Sequence, residues 1–290
     1  MELRHVAARE GRLSSFLKEE MGMSTGLVNR LKWQNKIFVN GQPQHNDYRV
    51  QPGDVVTVPL DEPEPDYPPE DDPFTILYED EHLLAVDKEP GILIHPSRSR
   101  LTGTLANRVL GYYRRTGQQC AFHPLTRLDR DTYGIVLLAK NSHIHTLLQE
   151  VPTVKTYHAL VYGGPEADRG IIDAPIARKP LPSLLREVRP DGKLSLTEFE
   201  VLERAEKLCK LALRPITGRT HQLRVHCAHM GYPILGDPQY GNGTEDFGLT
   251  YQQLCAKKLE FIHPITGEEM LLESSMEPRI SHQKEKIPQE

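Results

Sequence analysis

The spacing of apolar residues divides the chain into two regimes. In the first sixty residues they recur at helical intervals twice, and a short β unit follows. Residues 12–21 form the first helical pattern. Ser24 is placed to cap a second, in which Leu27, Val28 and Leu31 make the apolar face while Arg30, Lys32 and Lys36 lie mostly off it. Trp33 sits on that second helix and reads as a packing residue rather than a base-stacking platform. Ile37-Phe38-Val39 then reads as a strand, Asn40-Gly41 as a tight turn, and Gly53-Asp54 leads into the strand Val55-Val56-Thr57-Val58.

Further on, strands outnumber helices. Residues 75–78 and 83–87 read as strands and 105–114 as a helix. The unbroken aliphatic run Ile135-Val136-Leu137-Leu138 reads as a strand buried on both faces. A helix over 144–151 follows Asn141-Ser142, residues 155–161 alternate as a half-buried strand does, and 194–202 with 208–213 read as a strand pair. A last helix opens near Thr220, with Leu223, His226 and Met230 on one face and Arg219 and Arg224 projecting from its first turns. Strands and helices do not alternate regularly, which predicts an α+β fold rather than a doubly wound sheet.

Charge changes the picture in one place. The net charge is −5, but residues 60–73, LDEPEPDYPPEDDP, hold seven acids and no base. Residues 1–59 carry eight Lys/Arg against six Asp/Glu, residues 74–280 carry 25 of each, and the last ten carry two of each. The acidic, proline-rich stretch therefore reads as an extended, self-repelling linker. It divides the chain into a small module over 1–59 and a large domain over 74–280, with a disordered tail over 281–290. No run approaches the length of a membrane span and the first residues lack an apolar secretory core, so a cytoplasmic protein is expected. Cys120, Cys209, Cys227 and Cys255 are scattered without a C-x-x-C pair, which argues for reduced thiols rather than disulfides or a zinc site.

The candidate chemistry begins at Thr126-Arg127-Leu128-Asp129-Arg130-Asp131-Thr132-Tyr133-Gly134. Asp129 lies between two arginines just before the buried strand, at the mouth of the sheet, and guanidinium neighbours favour its ionised form. An oriented carboxylate is a candidate nucleophile. The plainer alternative is an arginine–aspartate surface network. This stretch resembles the H-R-L-D-x-x-T-S-G signature of the RluA-type pseudouridine synthases, with Thr126 where His is usual and Tyr133 where Ser is usual. Thr217-Gly218-Arg219-Thr220-His221-Gln222-Leu223-Arg224-Val225-His226, followed by Gly231 to Asp237, is similar to the family's G-R-T-H-Q-[IL]-R-V-H … G-x-P-I-x-G-D block. Lys155-Thr156-Tyr157 matches its K-x-Y, and Val86-Asp87-Lys88-Glu89-Pro90-Gly91 through His95-Pro96 resembles its V-D-K-P-x-G strand and turn. The four blocks lie in family order.

The resemblance implies a long, mixed, mostly antiparallel sheet with a central cleft. It implies an RNA pseudouridine synthase, which isomerises uridines of structured ribosomal or transfer RNA after flipping them from the stack. Asp129 takes the place of the catalytic aspartate, attacking either the uracil ring or the anomeric carbon. Arg224 pairs with it, and Tyr157 packs against the base and serves as a general base. Arg127 helps displace the base, and Arg219, Leu223 and Thr132 complete the substrate contacts. Residues 1–59 resemble the αL RNA-binding motif through Val39-Asn40-Gly41 and Gly53-Asp54-Val55-Val56. No redox or group transfer is involved, so no cofactor and no metal are called for, and a monomer is expected. Asp129-Arg130-Asp131-Thr132 partly matches the D-x-D-x-T string of aspartate-based phosphatases. That string needs a hydrophobic strand before its first Asp, and here the apolar run comes after. A non-catalytic RNA-binding relative is the alternative reading.

Overall fold

The computed structural model describes residues 2–62, 64–97, 99–241 and 248–279. At the N-terminus, strands β1 (Glu2–Val6) and β2 (Gly11–Arg12) precede helices α1 (Leu13–Glu19) and α2 (Thr25–Trp33). Short strands β3 (Phe38–Val39), β4 (Gln42–Pro43), β5 (Arg49–Val50) and β6 (Val55–Pro59) follow. Ser24 caps α2 by accepting from the Leu27 amide at 3.2 Å. Strands β1, β6, β3 and β4 form an antiparallel sheet, and Leu13, Leu17, Leu27, Val28 and Leu31 share a core with its Val39, Val56 and Val58. Trp33 does not pack, contrary to expectation: it is 83% exposed. It follows Leu31 by two residues, about 200° round the helix, and so points away from the buried stripe.

The large domain runs through β7 (Thr75–Glu79), β8 (Leu83–Lys88), α3 (Leu105–Arg115), β9 (His123–Pro124), β10 (Tyr133–Ala139) and α4 (Ser142–Glu150). It continues through β11 (Thr153–Tyr162), β12 (Arg169–Asp173), β13 (Ile176–Arg178), β14 (Arg186–Val188), β15 (Leu196–Arg204), β16 (Leu208–Pro215), α5 (Gln222–His229), β17 (Leu254–Ile262) and β18 (Glu269–Glu273). A ten-stranded sheet orders β12-β15-β16-β11-β17-β10-β8-β7, with β18 on β17 and β9 on β10. Its pairs are antiparallel except β10 with β17, where Tyr133 and Gly134 meet Cys255 and Ala256. Gly134 is required there. Its φ is +103°, and a Cβ would lie 2.4 Å from the Ala256 carbonyl oxygen.

The aliphatic runs of β8 and β10 are unbroken because both faces of the sheet are covered. Leu84, Val86, Val136 and Leu138 pack on Leu105 and Val109 of α3, while Leu83, Ala85, Ile135 and Leu137 pack on Ile144 and Leu148 of α4. Burying one such side chain contributes about 1.5–3 kcal/mol, so this three-layer centre is a stable base for loops at its edge. Helix α5 covers β11 and β16, through Leu223 and Cys227 against Ala159, Val161, Leu211 and Leu213.

Several expectations need correction. Helix α5 starts at Gln222, so Arg219 precedes it, and Met230 is its exposed C-cap rather than part of a buried face. The helix is buried nearly all round, which erases the one-sided pattern read for it. Strand β15 begins at Leu196 and leaves Leu194 exposed. The hairpin β13–β14 was not anticipated. The acidic stretch is not a loose spacer either: Glu70 accepts from the Gly103 amide, and Asn107 donates to the Pro68 carbonyl oxygen at 2.7 Å. Residues 281–290, read as a disordered tail, lie outside the described residues. All four cysteines are free thiols. Among the described residues no helix is long and apolar enough to cross a membrane.

Candidate active site

The chain enters the site along β9, whose Pro124 and His123 pair with Leu138 and Ala139 at the end of β10. It then turns through residues 125–132 before β10 itself. Buried Leu128 anchors this turn in the core between exposed Arg127 and partly exposed Asp129. Two further contacts fix it. The Lys88 ammonium donates to the carbonyl oxygens of Glu89 (3.0 Å), Ile92 (2.9 Å) and Arg130 (2.9 Å). Burial pushes that ammonium down to about 7, against the pull of Asp131 and Asp129. The Gln252 side chain donates to the Thr132 hydroxyl at 2.6 Å.

The second half of the site comes from α5 and the turn before it. Gln222 staples that turn to β15: its amide donates to the Leu196 carbonyl (2.8 Å) and the Thr197 hydroxyl (3.0 Å), while its oxygen accepts from Arg219 N (3.0 Å) and the Thr217 hydroxyl (2.9 Å). His221 holds the left-handed conformation, φ +56°, at the head of the helix. Its Nε2 lies 3.8 Å from Asp129 and its Nδ1 2.9 Å from the Tyr240 hydroxyl. One turn on, Arg224 reaches both ways. Nη1 donates to Asp129 Oδ2 at 2.9 Å, Nε and Nη2 form a fork with Asp237 at 2.7 and 2.8 Å, and Nη2 also donates to Gln239 at 2.9 Å. Its guanidinium carbon sits 5.0 Å from the Tyr240 ring centroid.

Asp129, Tyr157 and Arg224 therefore border one cleft of about 680 Å³, together with Arg127, Thr132, Arg219 and Leu223. One oxygen of Asp129 is held by Arg224, and the other has no partner among the described residues. The guanidinium neighbours read from the sequence are not the ones that hold it. Arg130 forks onto Asp131 at 2.9 and 2.8 Å, and Arg127 has no hydrogen-bond or ion-pair partner among the described residues. The nearby His95 imidazole is pushed down by burial and by the Arg127 charge. Tyr157 projects from β11; burial and the Asp129 charge push its phenol up to about 12. Arg219 donates from Nε to the Leu194 carbonyl at 3.1 Å, and Leu223 is buried in the core behind the cleft.

The departures from the family signature are both enclosed. Thr126 is buried with its hydroxyl unpartnered, and Tyr133 is buried with its hydroxyl 3.4 Å from Gln253. His221, Asp237, Gln239 and Tyr240 received no role from the sequence. Asp237 stood in a matched block, and a buried arginine needs such a partner. Lys155 also lines the cleft, its ammonium pushed down by burial.

Residues 82–229 match the RNA pseudouridylate synthase family. An uncharacterised RNA pseudouridine synthase of Bacillus subtilis is 37% identical over 258 residues, 87% of this chain and 90% of that one. Ribosomal large subunit pseudouridine synthase C of Vibrio cholerae is 32% identical over 302 residues, 96% of this chain and 93% of that one. Among solved structures, human RNA pseudouridylate synthase domain containing 1 superposes with a TM-score of 0.60 at 26% identity, covering 72% of this chain and 86% of that one. With the sheet, the cleft and these relatives in agreement, the chain belongs to the RluA-type RNA pseudouridine synthases, isomerases that act on RNA.

Proposed function

We propose that this enzyme isomerises a uridine of large-subunit ribosomal RNA to pseudouridine, with Asp129 as nucleophile. The observation that carries the proposal is the Asp129 carboxylate: one oxygen fixed by Arg224 at 2.9 Å, the other turned to an open cleft. The ribosomal substrate is supported by relatives named as ribosomal large subunit pseudouridine synthases C and D. A stacked uridine is out of reach, so it must be extruded into the cleft. Arg127, exposed and unpaired among the described residues, fills the gap left in the RNA. Asp129 attacks the uracil ring or the anomeric carbon, and the bond from the sugar to the base nitrogen breaks. The base turns, a bond forms from the sugar to C5, the bond between Asp129 and the substrate breaks to return the carboxylate, and the hydrogen on C5 leaves as a proton. Arg224 aims the carboxylate for its attack, an electrostatic contribution fixed before the substrate arrives. Tyr157 packs against the base. Burial, and then the Asp129 charge, hold its phenol protonated in the free enzyme, so it serves as general base for the C5 proton only after giving up its own proton to water in the open cleft. Residues 1–59 add an αL-type RNA contact outside the cleft.

Tritium release from carbon-5-labelled uridine tests this directly, with ribosomal and transfer RNA as separate pools. The wild type should release tritium from ribosomal RNA, and Asp129→Asn should lower the rate at least about 1,000-fold with RNA binding intact. Release from transfer RNA alone would overturn the ribosomal assignment. Undiminished release by the variant would overturn the role of Asp129.

A further inference from the structure

Helix α2 turns a second face to solvent. Gly26, Asn29, Arg30 and Trp33 follow at i, i+3, i+4 and i+7, opposite the buried Leu27, Val28 and Leu31. Trp33 is 83% exposed, and the Lys32 ammonium lies 5.9 Å from its ring centroid. Leaving an indole in water forgoes about 1.5–3 kcal/mol that burial would supply, so its position calls for a function.

The charge around it narrows the choice. Residues 21–46 contain no Asp or Glu, in a chain with 40 acids. Arg30 and Lys32 have no carboxylate partner among the described residues, whereas Lys36, nearer the acidic stretch, is paired with Asp61 at 2.5 Å. The apolar component is a single ring: among residues 2–59 the other exposed large hydrophobic is Val6, on β1. A protein interface needs a contiguous apolar centre, which this face lacks. One π-face flanked by unpaired cations fits a nucleobase with a phosphate on either side.

We propose that Trp33 is a stacking platform for an unpaired base of the RNA, outside the catalytic cleft, with Arg30 and Lys32 on the flanking phosphates. The base must be unpaired, because a base inside a duplex offers no free face. The inference rests on the reading of residues 1–59 as an RNA contact and gives that contact a residue and a chemistry. It separates the two parts of the molecule: the cleft does the isomerisation, and α2 raises the occupancy of RNA that carries an accessible base.

Trp33 is the chain's one tryptophan, so its emission reports on this site without interference. The full-length protein would be titrated with a short oligouridylate, with a blunt RNA duplex of equal length and with ribosomal RNA. Binding would be followed in parallel by anisotropy of labelled RNA. Quenching by oligouridylate and ribosomal RNA, and much less by the duplex, is expected. Trp33→Ala should weaken oligouridylate binding about ten-fold and Trp33→Phe should restore most of it, as base–aromatic stacking requires. In tritium release the alanine variant should raise KM and leave kcat unchanged, which sets the platform apart from the catalytic machinery. Emission that stays constant while anisotropy reports saturation would overturn the platform. So would unchanged affinity in Trp33→Ala, or a Trp33-dependent dimer in sedimentation with no effect on RNA. Failure of the catalytic reading would show separately, as no tritium release by the wild type.

Discussion

Arg224 divides one guanidinium between two carboxylates in different surroundings. Asp237 is fully buried and takes the fork from Nε and Nη2; Asp129 stands at the cleft and takes Nη1. Burial alone would weaken the arginine's charge, but the hydrogen bonds to Asp237 and the two carboxylate charges outweigh it and raise its pKa. Arg224→Met would strand Asp237 as a buried, uncompensated charge, at about 3–5 kcal/mol of stability. Arg224→Lys is more informative. A lysine keeps a positive charge but cannot fill three positions of a planar fork. We expect it to fold with a lowered Tm and to lose at least about 100-fold in kcat with little change in KM. Wild-type turnover in that variant would show that Asp129 needs only a nearby charge and no aiming. Asp129, Tyr157 and Arg224 were legible in the sequence because each sits inside a contiguous string. Arg224 as the partner of Asp129 came from the matched string and not from the residues beside the aspartate. Arg130 is adjacent in sequence yet bonds Asp131, and the actual partner lies ninety-five positions away. His221 and Tyr240 escaped notice for the same reason, since their link to Asp129 exists only through space.

Elements were legible where burial is two-sided or cleanly one-sided. The runs of β8 and β10 announce a covered strand, and Ser24 and Asn141 announce helix starts through their caps. Strands β13 and β14 did not stand out because three residues are too few for an alternation to register. Helix α4 carries a property that periodicity cannot show. His143 in its first turn is buried with Nδ1 unpartnered, beneath Gly22 of the N-terminal unit. Burial, and then His82, push its imidazole down to about 4. An unfolded histidine titrates near ~6.5, so between about 4 and 6.5 the unfolded chain binds more protons than the folded one. The contribution of His143 to stability is therefore intact above pH ~6.5 and is lost as pH falls through that window, by up to roughly 3 kcal/mol. His143→Leu should flatten this part of the stability–pH curve. Denaturant midpoints measured at pH 7, 6, 5 and 4.5 for both proteins decide it; parallel curves would mean that His143 binds protons equally in the folded and unfolded chain across this range.

At the scale of the whole molecule, the acidic stretch joins the two folded parts and is itself seated on the larger one. Read from sequence, its like charges could only repel one another. In the fold Glu64, Asp71 and Asp72 meet Arg114, Arg115 and Arg108 of α3 at 3.1, 3.1 and 3.8 Å, and Glu62 accepts from the Ser142 amide at 2.6 Å. Exposed ion pairs of this kind contribute about 0–1 kcal/mol each, so they do not by themselves explain the seating. The backbone of the stretch also lies tight against Gly111 on α3, where a Cβ would be 2.0 Å from the Glu70 carbonyl oxygen. Glycine inside a helix normally destabilises it by about 0.5–1 kcal/mol relative to alanine. Gly111→Ala should nevertheless lower Tm here, because the neighbour is backbone and must move. With the stretch displaced, Glu70 also loses its bonds to the Gly103 amide just before α3. Limited proteolysis should then cut residues 60–73 of the variant faster than those of the wild type at equal protease. A more stable variant, cleaved there no faster, would mean that the approach at Gly111 does not seat the stretch, and that its ion pairs and its hydrogen bonds to Gly103 and Asn107 hold it instead.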